Sequence, residues 1–250
     1  GLLGRRGIDD ATMAEHGIAP IDLLVANLYP FEQMALTIPD LDRLVEYIDV
    51  GGPAMIRAAA KNYRDVAVIT DPGDYPLVAD ALKKGGFSPE QRFMLARKAF
   101  ARTAAYDAAI SNYFQSSGAE YAPVITLQFR NGRQLRYGEN PHQKGVVYGE
   151  AGIAAVAPLQ GKQMSYNNYL DLNAAASLLD EFEEPAAVIV KHNNPCGVSL
   201  GAHVLEAYVG AREVDPVSAY GGVVAINGEV GLPLAEEVCS PFVEVAAAPA

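Results

Sequence analysis

Tryptophan is absent from the 250-residue chain, and cysteine occurs twice, as Cys196 and Cys239. Two cysteines cannot make a disulfide framework, and they fit a reducing cytosol. No run of about 18 apolar residues occurs, which excludes a membrane-spanning helix. Basic residues are few: 19 Lys+Arg stand against 30 Asp+Glu, a formal charge of −11. That balance disfavours a broad basic surface for nucleic acid and equally an anionic-membrane binder. His142, His192 and His203 lack paired spacing such as HxxxH or CxxC, so no metal site is expected. There is no repeat of fixed period and no low-complexity tract. The composition is 50% hydrophobic and 20% charged, that of a soluble globular protein. The length allows one large domain or two ordinary ones. The chain opens at Gly1 and stops at AAAPA, inside what reads as a buried strand, so a fragment of a longer protein is expected.

The first half alternates strand and helix patterns. LLVANL (23–28) and VAVIT (66–70) are short apolar runs suited to buried strands. LDRLVEYID (41–49) has helical spacing, and GGPAMIRAAAKN (51–62) reads as a Gly-rich turn opening a helix. Ser88-Pro89-Glu90-Gln91 predicts a capping box and a long helix to about Tyr113, with Phe93, Ala96, Phe100 and Ala104 on one face. Such alternation predicts a parallel sheet covered by helices. QSSGAEYAP marks a linker, placing a boundary near 115–127. Beyond it, VITLQF (124–129), AAVIVK (186–191) and GVVAIN (222–227) read as strands. Residues 168–183, 202–213 and 233–240 read as helices.

AAVIVKHNNPCG (186–197) is the most suggestive segment. An apolar strand delivers Lys191 and His192 to a polar turn, Asn193–Gly197, where α/β sheets hold ligands. A His is the usual proton carrier near neutrality, and a Lys beside it can bind an anion or polarise a carbonyl. The segment alone fits equally a solvated strand-end Lys beside a structural His. Cys196, inside a Pro-Cys-Gly turn, reads as structural rather than nucleophilic. In LRYGENPHQ (135–143), Arg136 can fork onto a carboxylate or phosphate and Tyr137 can stack on a flat ring; an ordinary surface loop is the competing reading. DPVSAYGG (215–222) offers a Gly pair for close backbone approach, or a simple turn. In the first half, Asn27 and Tyr29 follow a strand. Asp49 precedes a Gly-Gly turn that could open onto a helix N-terminus, and Lys61 lies on that helix. Tyr, Asp and Lys together can move a proton and support an oxyanion. Singly, each is more often structural.

The strings NLYPF, IDVGGPAMIRAAAKN, LRYGENPHQ, SYNNYLDLNAA, VIVKHNNPCG and DPVSAYGGVVAING stand in one order from Gly1 to Pro249. Together they closely resemble the bifunctional AICAR formyltransferase/IMP cyclohydrolase family of purine biosynthesis, where AICAR is phosphoribosylaminoimidazolecarboxamide. The resemblance implies an α/β fold class. A partial methylglyoxal-synthase-like parallel-sheet domain, residues 1–120, would carry cyclohydrolase. A partial cytidine-deaminase-like α/β/α domain, residues 121–250, would begin the formyltransferase. It implies formyl transfer from 10-formyltetrahydrofolate, a cosubstrate, to AICAR ribotide, then dehydrative ring closure to IMP. It also implies a cytoplasmic homodimer with shared formyltransferase sites and no catalytic metal. By the resemblance, His192 is the proton acceptor and Lys191 its catalytic neighbour. Arg136, Tyr137, Gly221, Glu244 and Asn167 contact substrate. Lys61 is the proton donor/acceptor of ring closure, with Tyr29 and Asp49 as catalytic partners. Ala26, Asn27 and Val50 touch IMP, mainly through backbone.

The family's Lys-Thr segment, N-terminal strand and phosphate loop would lie before Gly1. Its folate-binding residues and a catalytic Asn would lie beyond Ala250. The 250-residue stretch in isolation is therefore expected to be inactive or nearly so. The rival readings are a non-catalytic nucleotide-binding module of methylglyoxal-synthase-like fold, a dimerising scaffold and a zinc deaminase.

Overall fold

The apolar run at 66–69 supplies the centre of the first half. The computed structural model describes residues 1–117, 120–149 and 151–249. The chain divides into two compact units, Gly1–Gln128 and Phe129–Ala250. Elements of the first are α1 (Asp10–Glu15), β1 (Leu23–Val25), α2 (Phe31–Ala35), α3 (Leu41–Val45), α4 (Gly51–Lys61), β2 (Ala67–Ile69), a 3-10 turn at Pro72–Asp74, α5 (Tyr75–Lys83) and α6 (Pro89–Ser116). β1 and β2 pair in parallel, Leu23 opposite Ala67. Val66 and Val68 cluster with Ile56, Ala59 and Ala60 of α4 and with Ala96 and Ala99 of α6. Ala67 and Ile69 cluster instead with Leu95, Leu77, Val78 and Phe87. Successive strand residues face opposite sides, so a strand covered on both faces must be apolar throughout.

Ser88 and Gln91 close the predicted capping box: Ser88 Oγ accepts from the Gln91 N–H at 3.2 Å, and Gln91 Oε1 accepts from the Ser88 N–H at 2.8 Å. The buried face of α6 differs from the expected one. Phe93 and Phe100 are 51% and 40% exposed, and Ala104 is exposed. Ala96 is buried as expected, but its buried companions are Leu95, Ala99, Thr103 and Tyr106. Alanines on both helices line the α4–α6 contact and let the backbones approach. The rings are displaced to its flanks, Phe93 against Tyr63 and Phe100 beneath the Arg57 guanidinium. Residues 124–129 are not a strand. Thr126 exchanges hydrogen bonds of 2.8 and 2.9 Å with the Asn112 side chain, so a helix side chain satisfies the backbone there instead of a sheet ladder. Gly118 and Ala119, in the expected linker, lie outside the described residues.

In the second unit, β3 (Arg133–Gln134) and β4 (Val146–Val147) form a short antiparallel pair, followed by a 3-10 turn at Gly152–Ala155. Then come α7 (Tyr166–Leu179), β5 (Ala186–Lys191), β6 (Asn194–Leu200), α8 (Val204–Val214), α9 (Pro216–Ala219), β7 (Val223–Ile226), α10 (Leu232–Cys239) and β8 (Val245–Ala247). The sheet order is β6-β5-β7-β8. β5 is antiparallel to β6 and β7, and β7 is parallel to β8, so this sheet is mixed. Ala186, Val188 and Val190 pack on Ala175 and Leu179 of α7. Ala187 and Ile189 pack on α8 and α10 through Ala207, Ala211, Leu234 and Val238. The unit is thus layered α/β/α.

The expected turn at Asn193–Gly197 falls earlier. β5 and β6 are joined by two residues, His192 and Asn193, at φ 54° and 62°. A type I′ hairpin requires positive φ at both central residues. Asn194–Gly197 already belong to β6. Ile189 pairs with Gly197 and Val190 with Pro195, so Cys196 is the extra residue of a β-bulge rather than part of a turn. Pro195, without an N–H, is tolerated because β6 is an edge strand and the bulge breaks the ladder.

Gly197 lies so close to α8 that a Cβ there would collide with the Ala211 carbonyl, backbone that cannot swing away. Gly197→Ala should therefore destabilise the protein by about 1–3 kcal/mol, read from urea unfolding. Gly51→Ala, where a Cβ meets open space on a helix, should be neutral or stabilise by up to about 1 kcal/mol. An unchanged midpoint for Gly197→Ala would contradict the described contact.

Candidate active site

In the second unit, one end of the sheet gathers most of the predicted polar residues. Lys191 ends β5, and because β5 runs against β7, Tyr220–Gly222 at the start of β7 lies beside it. Lys191 Nζ donates to the Tyr220 carbonyl at 2.7 Å. Glu244 precedes β8, which is parallel to β7, and its N–H donates to the Gly222 carbonyl at 3.0 Å. Gly221 sits at φ 73°, a conformation that favours glycine, and donates to the Phe242 carbonyl at 2.7 Å. The cluster is therefore at the carboxyl end of β5 but at the amino ends of β7 and β8, unlike the all-parallel rule used to expect it.

Arg136 joins this end from the loop after β3. Its N–H donates to the Met164 carbonyl and the Tyr166 N–H donates to the Tyr137 carbonyl, both at 3.1 Å, so residues 136–137 run beside the entry to α7. Arg136 Nη2 lies 2.9 Å from Glu244 Oε1, 3.3 Å from Asn168 Oδ1 and 3.3 Å from the Tyr137 hydroxyl. The guanidinium carbon stands 4.9 Å from the Tyr137 ring centroid. The bond to Glu244 raises the Arg136 pKa above its ordinary value, against a smaller opposing effect of burial. Its Nε is buried with no acceptor among the described residues. A buried orphan donor is costly in a finished core and natural where a ligand supplies the acceptor.

His192 is exposed at the hairpin tip, and its backbone is fixed on both sides. The His192 carbonyl accepts from Asn194 Nδ2 at 2.9 Å, and the next N–H, of Asn193, donates to Asp171 Oδ1 at 2.6 Å. Asn167 is exposed and its amide donates to the Glu139 carbonyl at 3.0 Å. Its neighbour Asn168, which sequence reasoning passed over, is buried; its Oδ1 accepts from the Ser165 N–H at 2.8 Å as well as from Arg136. The Ser165–Asn168 reciprocal cap was the available signal, a capping box with Asn in place of Glu. The Cys196 thiol contacts the Ile189 carbonyl, and burial pushes its pKa up, which suits a structural thiol.

In the first unit, the Ala26 N–H donates to the Ile69 carbonyl at 3.0 Å, prolonging the β1–β2 ladder to the edge of NLYPF. Leu28 packs on a cluster of Phe31, Ile38, Leu44 and Tyr106, and Tyr47 and Ile48 pack on the same cluster. The shared support brings the Asn27–Tyr29 and Asp49–Val50 segments onto one cluster. Asn27, Tyr29 and Val50 are exposed. Asp49 Oδ1 accepts from the Gly52 N–H at 2.7 Å at the entrance to α4, and the Asp49 N–H donates to the Tyr106 hydroxyl at 2.9 Å. That buried hydroxyl donates in turn to the Tyr47 carbonyl at 3.0 Å, and burial raises its pKa. Tyr106, on α6, is the residue here that no sequence pattern marks. Lys61 is not brought to this group. It ends α4, about 15 Å of helical rise from Gly51. Next to it, the Asn62 amide holds the Leu2 and Gly4 carbonyls at 3.1 and 2.9 Å.

Among the described residues, no cluster of three or more His, Cys, Asp or Glu is arranged to hold a metal, and no helix is long and apolar enough to cross a membrane.

The family profile described as AICARFT/IMPCHase bienzyme matches residues 59–250. The bifunctional purine biosynthesis protein PurH of Myxococcus xanthus is 48% identical over 260 residues, with 100% of this chain and 51% of that protein covered. The proteins of the same description from Magnetococcus marinus and from a Thermoanaerobacter species are 48% and 47% identical, again over 100% of this chain and over 50% and 51% of theirs. The chain thus spans about half the length of these relatives. A crystal structure of ForH aligns at 40% identity with a TM-score of 0.41, over 48% of this chain and 63% of that one. With a profile match across more than half its length and near-half identity along all of it, the chain belongs to the AICARFT/IMPCHase bienzyme family.

Proposed function

We propose that the protein carries out the two activities that the family description, AICARFT/IMPCHase bienzyme, points to: formyl transfer from 10-formyltetrahydrofolate to the 5-amine of AICAR ribotide, then dehydrative closure of the formamido product to IMP. In this reading residues 1–120 form a methylglyoxal-synthase-like cyclohydrolase region. Residues 121–250 begin a cytidine-deaminase-like formyltransferase, whose α/β/α layering accords with the second unit. The protein is a cytoplasmic homodimer with shared formyltransferase sites, and no resident metal takes part.

One observation carries the reading: Lys191, Gly221 and Glu244 meet at one end of one sheet through backbone and side-chain bonds, Arg136 and Tyr137 reach that end through Glu244, and His192 follows Lys191 in the chain. The AICAR amine is a poor nucleophile because its lone pair is delocalised into the imidazole. His192 takes its proton as nitrogen attacks the formyl carbon. The carbonyl π electrons move onto the formyl oxygen, and Lys191, with two ammonium hydrogens beyond the one given to Tyr220, stabilises that charge. Collapse restores the carbonyl and expels the folate nitrogen, which takes up a proton. Arg136, Tyr137, Glu244, Gly221 and Asn167 orient the nucleotide. In ring closure the carboxamide nitrogen attacks the formyl carbon of the same molecule and water leaves, so holding the folded conformer supplies much of the rate. The α4 N-terminus favours the developing oxyanion. Asp49 and Tyr29 handle protons, and Ala26, Asn27 and Val50 line the nucleotide; the proton role of Lys61, at the other end of α4 from Asp49, rests on the resemblance alone.

His192→Asn tests the first step without disturbing the turn, because Asn tolerates positive φ. Formyl transfer by the intact protein should fall roughly 10²- to 10⁴-fold, while cyclisation of supplied formamido product is unchanged. Retained formyl transfer would refute the assignment, and parallel loss of both activities would indicate misfolding instead.

Tyr106→Phe strips the acceptor from the Asp49 N–H without changing ring shape. It should slow cyclisation at least about tenfold and cost about 1–3 kcal/mol of stability, with formyl transfer preserved. Lys61→Ala should also slow cyclisation selectively. Cyclisation within twofold of wild type in either variant would remove that residue from the proposed site.

A further inference from the structure

The string SYNNYLDLNAA contributes more than a substrate contact. Asn168 and Asp171 are three residues apart on α7 and therefore share a face of the helix. Asn168 Oδ1 meets Arg136 Nη2 at 3.3 Å, and Asp171 Oδ1 meets the Asn193 N–H at 2.6 Å. One rigid helix face thus holds the nucleotide-binding arginine and the hairpin that carries His192. The hairpin needs such a hold. His192 and Asn193 are both non-glycine residues at positive φ, a conformation that persists only where surrounding contacts enforce it. Asn194 fixes the carbonyl side of the His192–Asn193 peptide, and Asp171 fixes its N–H side. A carboxylate accepting from a backbone N–H makes a short, charge-assisted bond.

We propose that Asp171 is a positioning residue of the formyltransferase, which holds the His192 imidazole at a fixed distance from the nucleotide bound through Arg136. The proposal rests on the reading of His192 as the base. Asp171 touches no reacting atom; it acts through the backbone of the tip. Its loss should therefore leave nucleotide affinity nearly intact and lower the chemical step, because small misplacement of a catalytic group can cost on the order of 10²-fold.

The test is a kinetic comparison of Asp171→Ala and Asp171→Asn with the parent in the intact protein. Asp171→Ala should lower formyl-transfer kcat roughly 10- to 100-fold, with KM for AICAR ribotide within about threefold and cyclisation unchanged. Asp171→Asn keeps an acceptor oxygen at the same place and should recover most of the lost kcat. Three outcomes overturn the proposal: kcat within twofold in Asp171→Ala; KM rising while kcat holds; or Asp171→Asn as impaired as Asp171→Ala. If Asp171→Ala fails to fold, Asp171→Leu, of similar size but without an acceptor, takes its place: a roughly 10- to 100-fold loss of kcat upholds the clamp and kcat within twofold refutes it. His192→Asn, run alongside, separates this proposal from the functional reading. Full activity there defeats the reading itself, whereas a dead His192→Asn beside a normal Asp171→Ala defeats only the role given to Asp171.

Discussion

A hairpin closed by two non-glycine residues at positive φ is the constraint on which the second unit depends. With two residues in the loop, β6 must return directly antiparallel to β5, and the register is fixed by the turn. His192 and Asn193 accept that geometry because neighbours hold both sides of the peptide between them. The return strand then has to fit α8. It does so by giving up side chains at the contact, with Gly197 beneath the Ala211 carbonyl and Gly210 beside Ser199. The bulge at Cys196 absorbs the extra residue, and its disruption of the ladder falls beside Pro195, which could not have donated to it. A polar tip, a bulge and an α8 contact built on glycine are consequences of one turn.

The first unit solves a similar problem with a helix. Gly51, Gly52 and Pro53 open α4 without bulk, and a Cβ on Gly52 would meet the Asp49 carboxylate at 2.5 Å. The Asp49 carboxylate therefore occupies the space that a side chain on Gly52 would take and accepts from the Gly52 N–H in the first turn of the helix. Tyr106 carries the backbone side of the same residue from within the core. In both units a side chain on a neighbouring helix, Asp171 or Tyr106, fixes the backbone of a candidate catalytic residue. The bond is half-buried in the first unit and lies at the surface in the second; in each, a side chain from a helix restrains the backbone that carries the site residue.

Which of this was legible in the sequence follows from the range of the forces. Capping boxes are local, so Ser88–Gln91 could be read directly, and AAVIVK, apolar on both faces, matched β5 residue for residue. The buried face of α6 was misread because aromatic residues outweigh alanines on any hydropathy argument. Only the close approach of α4 makes alanine the better core residue there. The 124–129 segment has strand composition, but a strand needs a partner, and the sequence could not show that Asn112 would supply the hydrogen bonds instead. The Arg136–Glu244 pair spans 108 residues and became visible only with the sheet order. Asn168 and Asp171 were hidden for a different reason: they act on other protein groups, so nothing in their chemistry marks them as site residues.

Arg136 and Lys191, the two cations of the proposed site, are not equivalent, and the difference bears on how an acidic chain could handle the anionic substrates proposed for it. Only seven Lys and Arg residues fall in 128–250, against fourteen Asp and Glu. Arg136 is paired with Glu244 and forms a nearly neutral unit that offers oriented donors and a stacked plane. Lys191 is anchored by the carbonyl of Tyr220, a neutral group rather than a carboxylate. Repulsion from carboxylates farther away than the Debye length, about 8 Å at physiological salt, is largely screened. An oxyanion forming within contact distance of Lys191 experiences that one unscreened charge far more strongly than the net −11. In the proposed mechanism negative charge develops on the formyl oxygen while the proton departs to His192. Placing the uncompensated cation one residue before the base puts it where that charge appears.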